Sequence, residues 1–142
     1  MLCPDVNVFL YAMRRDSVRH SEYTEWVQRA MTGHEPVGVS ELVLSGVVRI
    51  STSHRIYREP NTTEEALQFC QALRGAPAAV PLRPGPGHWE IFERLCRDVT
   101  ATANLVPDAY HAALAIENGA TWITNDRGYA RFPLLSWRTP FE

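Results

Sequence analysis

Four acidic residues, Asp5, Glu41, Asp108 and Asp126, each stand where a short apolar run gives way to a segment of helical character. If those runs are strands of one parallel sheet, the four carboxylates gather in the crevice outside the carboxyl ends of the strands. Two carboxylates about 4 Å apart repel each other by about 4 kcal/mol at an effective dielectric constant of about 20. Such a group must take up protons or a divalent cation. The pattern therefore predicts a cation site.

Oxygen ligands from carboxylates and water are preferred by Mg²⁺ or Mn²⁺ and not by zinc or copper. We expect all four acids to be catalytic, with Asp5, Asp108 and Asp126 as the metal ligands. Glu41, which is one carbon longer, would ligate through water or help to position the nucleophile. An ion held in this way activates water and neutralises charge on a phosphoryl oxygen, so the pattern favours metal-assisted phosphodiester hydrolysis.

Each acid taken singly could simply cap a helix. Asp5 is the hardest to explain in this way, because Asn7 is available as the N-cap of the helix that follows. Thr124 could hydrogen-bond the acids or could merely be a β-branched strand residue, and the two explanations are balanced. His111, one helical turn after Asp108, is expected to be a hydrogen-bonded residue at the rim of the site.

Strands alternate with helices along the chain. Strands are expected at 1–4, 36–39, 78–82, 121–124 and 134–137, and helices at 7–14, 20–31, 41–50, 63–73, 89–99 and 107–118. This alternation predicts an α/β fold with a short, mostly parallel central sheet flanked by helices on both faces. Aromatic residues at helical spacing, namely Trp26, Trp89 and Phe92, are expected in the core.

The composition bounds the class of protein. A length of 142 residues fits one domain spanning 1–142, and a chain that is 45% hydrophobic and 21% charged is typical of a globular protein. The three cysteines lack metal-ligand spacing and are expected to be buried thiols in a reducing cytosol. Because no apolar run is long enough for a membrane helix and no leader pattern is present, we expect a cytoplasmic protein without membrane association.

The net charge of −2 argues against a general nucleic-acid binder. If the four acids belong to a cation site, however, the rest of the chain carries +2, because removing four negative charges from −2 leaves +2. A phosphodiester substrate is compatible with that balance.

With these residues in place, the chain resembles the PIN-domain ribonucleases and, within them, the VapC toxins of bacterial toxin-antitoxin pairs. The resemblance spans essentially the full length and rests on four blocks that contain the acids in order: PDVNVFLYA at 4–12, SELV at 40–43, LVPDAYHAALA at 105–115 and TWITNDRGY at 121–129. One such block would be weak support, but four in this order and spacing are specific.

The resemblance implies a Mg²⁺- or Mn²⁺-dependent endoribonuclease whose RNA substrate is tRNA or rRNA. Its cleavage would inhibit translation and growth. It also implies a cognate VapB-like antitoxin whose tail inserts near the acids, and a homodimer. Two departures leave the number of metal ions open: many members have a further Asp where this chain has Gly128, and Thr or Ser where it has Val6.

Two alternatives stay open. A small phosphohydrolase could use Asp5 as an aspartyl nucleophile, although Asn7 occupies the place where a D-x-D motif has its second acid. A catalytically weak domain that binds a metal or a partner is suggested by Gly128.

Overall fold

The computed structural model describes residues 1–142, and its five strands form one sheet in which every neighbouring pair is parallel. The strands are β1 (Leu2–Pro4), β2 (Val37–Ser40), β3 (Ala79–Leu82), β4 (Thr121–Ile123) and β5 (Trp137–Arg138). Their order across the sheet is β3-β2-β1-β4-β5. The predicted α/β class with a parallel sheet is confirmed.

Six α-helices connect the strands. They are α1 (Val6–Met13), α2 (His20–Thr32), α3 (Glu41–Ser51), α4 (Thr63–Arg74), α5 (His88–Val99) and α6 (Leu105–Glu117). A short 3-10 helix, Arg127–Arg131, lies between β4 and β5. No helix is long and apolar enough to span a membrane.

The strand order explains where the helices lie. From β1 the chain moves through β2 to β3, and it then returns past β1 to β4 and β5 on the other side. Since crossovers between parallel strands are right-handed, movement in opposite directions places helices on opposite faces. Helices α1 to α4 therefore cover one face, and α5 and α6 cover the other. The order reverses between β1 and β4, which pair with Pro4 beside Ile123.

The core is one cluster of 29 buried residues, and its largest fully buried side chains include Trp122, Phe9 and Phe132. Cys3 and Cys70 are buried, as predicted, and Cys96 is half-buried. Two predicted helix caps are also present: the Ser40 hydroxyl caps α3, and a Thr62–Glu65 capping box starts α4.

Three sequence predictions about this architecture were wrong. The last strand is Trp137–Arg138 and not 134–137, because the 3-10 helix and the turn around Pro133 delay the return to the sheet. Trp89 is 60% exposed and donates to Glu93, so it is not a core residue. Helix α6 begins two residues before Pro107, which fits its first turn because no N–H partner is needed there.

Helices α1 and α3 pack closely at Gly46, where a Cβ atom would lie 2.8 Å from Cγ2 of Val6. We expect Gly46→Ala to lower the free energy of unfolding by about 1–3 kcal/mol because the added methyl group overpacks this contact. The loss should occur although alanine is favoured over glycine in a helix by about 1 kcal/mol. Urea denaturation measures it.

The matched background for this test is Val6→Ala, which removes the opposing methyl groups. There Gly46→Ala should be neutral or stabilising. An equal loss in both backgrounds would contradict a steric cause.

Candidate active site

All four acids lie at helix N-termini, where the positive end of the helix dipole favours a negative charge. Asp5 is the N-cap of α1 and Glu41 is the first residue of α3. Asp108 lies in the first turn of α6, and Asp126 caps the 3-10 helix by accepting from the Gly128 N–H at 2.8 Å. The prediction that each acid stands at the start of a helix is confirmed, but the apolar run before Asp108 is the beginning of α6 and not a strand.

The predicted capping role of Asn7 was wrong. Asp5 has the extended backbone of an N-cap (φ −75°, ψ 164°), and its Oδ1 accepts from the Val6 N–H at 2.7 Å. Asn7 lies inside the helix, and its side-chain amide donates to Oδ2 of Asp5 at 3.0 Å. Asn7 therefore orients the acid and leaves the cap to Asp5 itself.

The buried hydroxyl of Thr124 connects the two sides of the point where the strand order reverses. It donates to Oδ2 of Asp5 at 2.7 Å and accepts from the Asp126 N–H at 3.0 Å. The Asn7 amide reaches the same hydroxyl at 3.1 Å and accepts from the Asn125 N–H at 3.1 Å. Of the two explanations for Thr124, the structure supports hydrogen bonding to the acids.

Three of the carboxylates interact electrostatically. Burial is the main cause that raises the pKa of Asp5 to about 6, and the charges of Asp108 and Asp126 raise it further, against hydrogen bonds from Thr124 and the Val6 N–H that lower it. Burial also raises the pKa of Asp108, and the charge of Asp126 adds to that effect. The structure thus brings Asp5, Asp108 and Asp126 into one electrostatic cluster.

Glu41 stands apart from this cluster. Its side chain is 68% exposed, its Oε1 lies 4.0 Å from Nε of Arg83, and it is not among the charges that affect the pKa of Asp5 or Asp108. Its role at the site stays a prediction.

Nowhere in the chain are three or more His, Cys, Asp or Glu side chains grouped so that they could hold a metal ion by themselves. The acids of the cluster nevertheless offer oxygen ligands only, which suit a hard divalent cation. Mg²⁺ commonly retains several waters and is held by one or two carboxylates together with substrate phosphates, and an incomplete protein shell fits that behaviour.

Tyr129 is a site residue that the sequence analysis missed. Its side chain is buried, and its hydroxyl donates to Oδ1 of Asp108 at 3.3 Å. Burial, followed by the charges of Asp5, Asp108 and Asp126, raises the pKa of this hydroxyl above its ordinary range. No local pattern indicated the contact, since Tyr129 follows the last predicted strand before position 134 and belongs to no predicted helix or strand.

Gly128 occupies a place where a side chain has little room. A Cβ atom there would lie 2.8 Å from Oδ1 of Asp126 and 3.1 Å from Nη2 of Arg131. The glycine leaves that space to the Asp126 carboxylate.

The predicted rim position of His111 was wrong. The ring is buried against Trp122 with centroids 5.2 Å apart, and its Nδ1 has no hydrogen-bond partner. Burial lowers its pKa to about 4. His111 is a neutral core residue.

Comparison with known proteins places this geometry in a family. The PIN domain model matches residues 2–135. The whole chain is 46% identical to VapC ribonuclease Mb2897 of Mycobacterium bovis and to Ribonuclease VapC43 of Mycobacterium tuberculosis, and it covers 97% of each. The chain belongs to the VapC ribonucleases of the PIN-domain family. Ribonuclease VapC25 of M. tuberculosis is a more distant member, 34% identical over 93% of each chain.

Solved PIN-domain structures support the fold. VapBC2 from Rickettsia felis, bound to a DNA fragment from its promoter, gives a TM-score of 0.70 at 15% identity and 97% coverage of both chains. FitAcB from Neisseria gonorrhoeae gives 0.67 at 15% identity, with 100% of this chain and 99% of that chain covered. PIN ribonucleases generally depend on divalent metal ions, which agrees with the oxygen-only cluster of this member.

The buried carboxyl group of Asp5 should leave a signature in the pH dependence of stability measured with a chelator. Its pKa of about 6 exceeds the value of about 3.9 for an unfolded chain, so the native state binds this proton more tightly. The contribution of this group to the free energy of unfolding is complete below pH 4 and is lost as the pH rises through 6. Relative to Asp5→Asn, the parent chain should lose on the order of 3 kcal/mol between pH 4 and 7, at about 1.4 kcal/mol per pKa unit.

The comparison with Asp5→Asn is necessary because His111 also makes stability depend on pH. Its pKa is lowered, so it raises the free energy of unfolding as the pH rises between about 4 and 6.5, and both chains share this effect. Denaturant titrations at several pH values give the difference between the two chains. Identical pH profiles would contradict the raised pKa of Asp5.

Proposed function

We propose that the chain is a divalent-cation-dependent endoribonuclease, the toxin of a VapBC-type pair, and that Asp5, Asp108 and Asp126 form its active site together with Glu41, which would approach from outside the cluster. The observation that carries this proposal is the electrostatic cluster of three carboxylates at the point where the strand order reverses. It occurs in a chain 46% identical to named VapC ribonucleases along its whole length. Clefts at such points are where open α/β sheets bind their ligands.

The ion is Mg²⁺ or Mn²⁺, held through carboxylate oxygens of Asp5, Asp108 and Asp126 and through water. When bound, such an ion makes a coordinated water more acidic and neutralises negative charge on a phosphoryl oxygen. The mutual repulsion of the three acids supports this assignment, because a dication relieves it without protonating any of them.

The residues of the chain itself prepare the site. Thr124, Asn7 and the Val6 N–H hold both oxygens of Asp5 in a fixed orientation. Glu41 helps to position the attacking water. The exposed ion pair between Glu41 and Arg83 contributes only about 0–1 kcal/mol to stability. Glu41 can therefore leave Arg83 easily when a substrate binds.

The substrate is RNA, either tRNA or rRNA, and its cleavage inhibits translation in the cytoplasm. A cognate VapB-like antitoxin restrains the enzyme, which acts as a homodimer. Support comes from relatives that are named ribonucleases and from fold relatives that are the VapBC2 and VapBC-1 pairs of Rickettsia felis and nontypeable Haemophilus influenzae.

The phosphohydrolase alternative needs Asp5 as a free nucleophile. In the structure Asp5 is buried and both of its carboxylate oxygens accept hydrogen bonds. That arrangement suits a fixed ligand better than an attacking group.

Single Asp→Asn substitutions at 5, 108 and 126 should each reduce RNA cleavage by about 100-fold or more, because they remove charge that holds the ion while conserving shape. Purified chains would be incubated with total RNA and Mg²⁺ or Mn²⁺, and with a chelator. Asp98→Asn is the matched control, since this exposed acid on α5 pairs with Arg94 and is not among the charges that affect the pKa of Asp5 or Asp108.

Cleavage that persists in the chelator, or in Asp5→Asn at the level of the parent chain, would refute the metal-dependent site. Mapping RNA ends in cells that produce the chain without its antitoxin then identifies the substrate. A single enriched 5′ end would name both the RNA and the cleaved position.

A further inference from the structure

Asp108 differs from the other two acids of the cluster in how it is held. Asp5 accepts three hydrogen bonds, and Asp126 accepts one from the Gly128 N–H. The carboxylate of Asp108 accepts a single hydrogen bond from the whole chain, and its donor is the hydroxyl of Tyr129. Without that contact, this carboxylate would accept no hydrogen bond from the protein.

The donor itself is rigidly placed. Tyr129 is only 2% exposed, and its ring packs on Trp122 with centroids 5.4 Å apart and on Phe132 at 6.0 Å. The ring belongs to the segment after β4, whereas Asp108 belongs to α6. The contact therefore ties the acid on α6 to the part of the chain that carries Asp126.

We propose that Tyr129 is a positioning residue of the acidic site, whose hydroxyl holds Oδ1 of Asp108 and leaves the other oxygen, which accepts no hydrogen bond, to a cation. This inference rests on the proposed metal-dependent function and assigns to it a residue that does not itself ligate the ion.

The chemistry of a phenol suits this role. A neutral hydroxyl offers the acid a hydrogen without adding a further positive charge to that of Arg131, which already acts on Asp108. Phenylalanine would fill the same space in the aromatic cluster but would leave Oδ1 of Asp108 without a partner. The hydroxyl is therefore the part of Tyr129 that the packing of the core does not require.

The test is the substitution Tyr129→Phe, with Tyr110→Phe as its matched control. Tyr110 lies two residues after Asp108 on the same helix, and its hydroxyl makes no hydrogen bond in the structure. Mn²⁺ binding would be measured without RNA, from the electron paramagnetic resonance signal of free Mn²⁺. The Mn²⁺ dependence of RNA cleavage would be measured in parallel.

We expect Tyr129→Phe to raise the Mn²⁺ dissociation constant about tenfold, as outer partners of metal ligands commonly do. The Mn²⁺ concentration for half-maximal cleavage should rise by the same factor, while kcat at saturating Mn²⁺ recovers to near that of the parent. Tyr110→Phe should match the parent in both assays. Asp108→Asn with and without Tyr129→Phe should bind Mn²⁺ equally, because the hydroxyl acts through Asp108.

A merely structural role is tested with Phe132→Leu, which loosens the same aromatic cluster without touching an acid. Equal loss of Mn²⁺ affinity in Phe132→Leu and Tyr129→Phe would overturn the proposal, as would Mn²⁺ binding by Tyr129→Phe within twofold of the parent. If the parent binds Mn²⁺ and cleaves RNA, such a result removes only the role of Tyr129. If the parent does neither, the proposed function falls with it.

Discussion

The burial of the Asp5 carboxylate is the constraint on which the rest of this structure depends, and the charges of Asp108 and Asp126 add to its cost. Asp5 is buried, its charge is disfavoured by its surroundings, and no basic side chain is hydrogen-bonded to it. A cost on the order of 3 kcal/mol is a substantial share of the roughly 5–15 kcal/mol by which domains are stable. The fold therefore carries a local electrostatic burden, and the Thr124 hydroxyl, the Asn7 amide and the Val6 N–H offset only part of it.

The topology makes that arrangement possible. The crossovers from β1 to β3 and from β3 back to β4 run in opposite directions, so the strand order reverses between β1 and β4, and the acids arrive there from elements far apart in sequence. Thr124 is the residue at which those elements meet, because its one hydroxyl contacts the side chain of Asp5 and the backbone of Asp126. The buried strands supply the rigid base that keeps the charges from separating.

Much of the fold and the clustering of Asp5, Asp108 and Asp126 could be predicted, because alternating strands and helices and the position of an acid at the start of a helix are local patterns. The errors arose where local patterns compete. Asp5 and Asn7 are both good caps, and only the extended backbone at Asp5 decides between them. The contact of Tyr129 with Asp108 joins residues 21 positions apart on different elements, and no periodicity encodes it.

Gly128 limits how this site could be remodelled. Family members that have a carboxylate at the corresponding place could use it to recruit a further ion, but here even one added carbon would press on Oδ1 of Asp126. Installing an acid there would displace an existing oxygen rather than enlarge the set. Adding a carboxylate to this site would therefore first require a different backbone conformation in the turn after β4. The present turn has room for the carboxylate of Asp126 and for no second one at position 128.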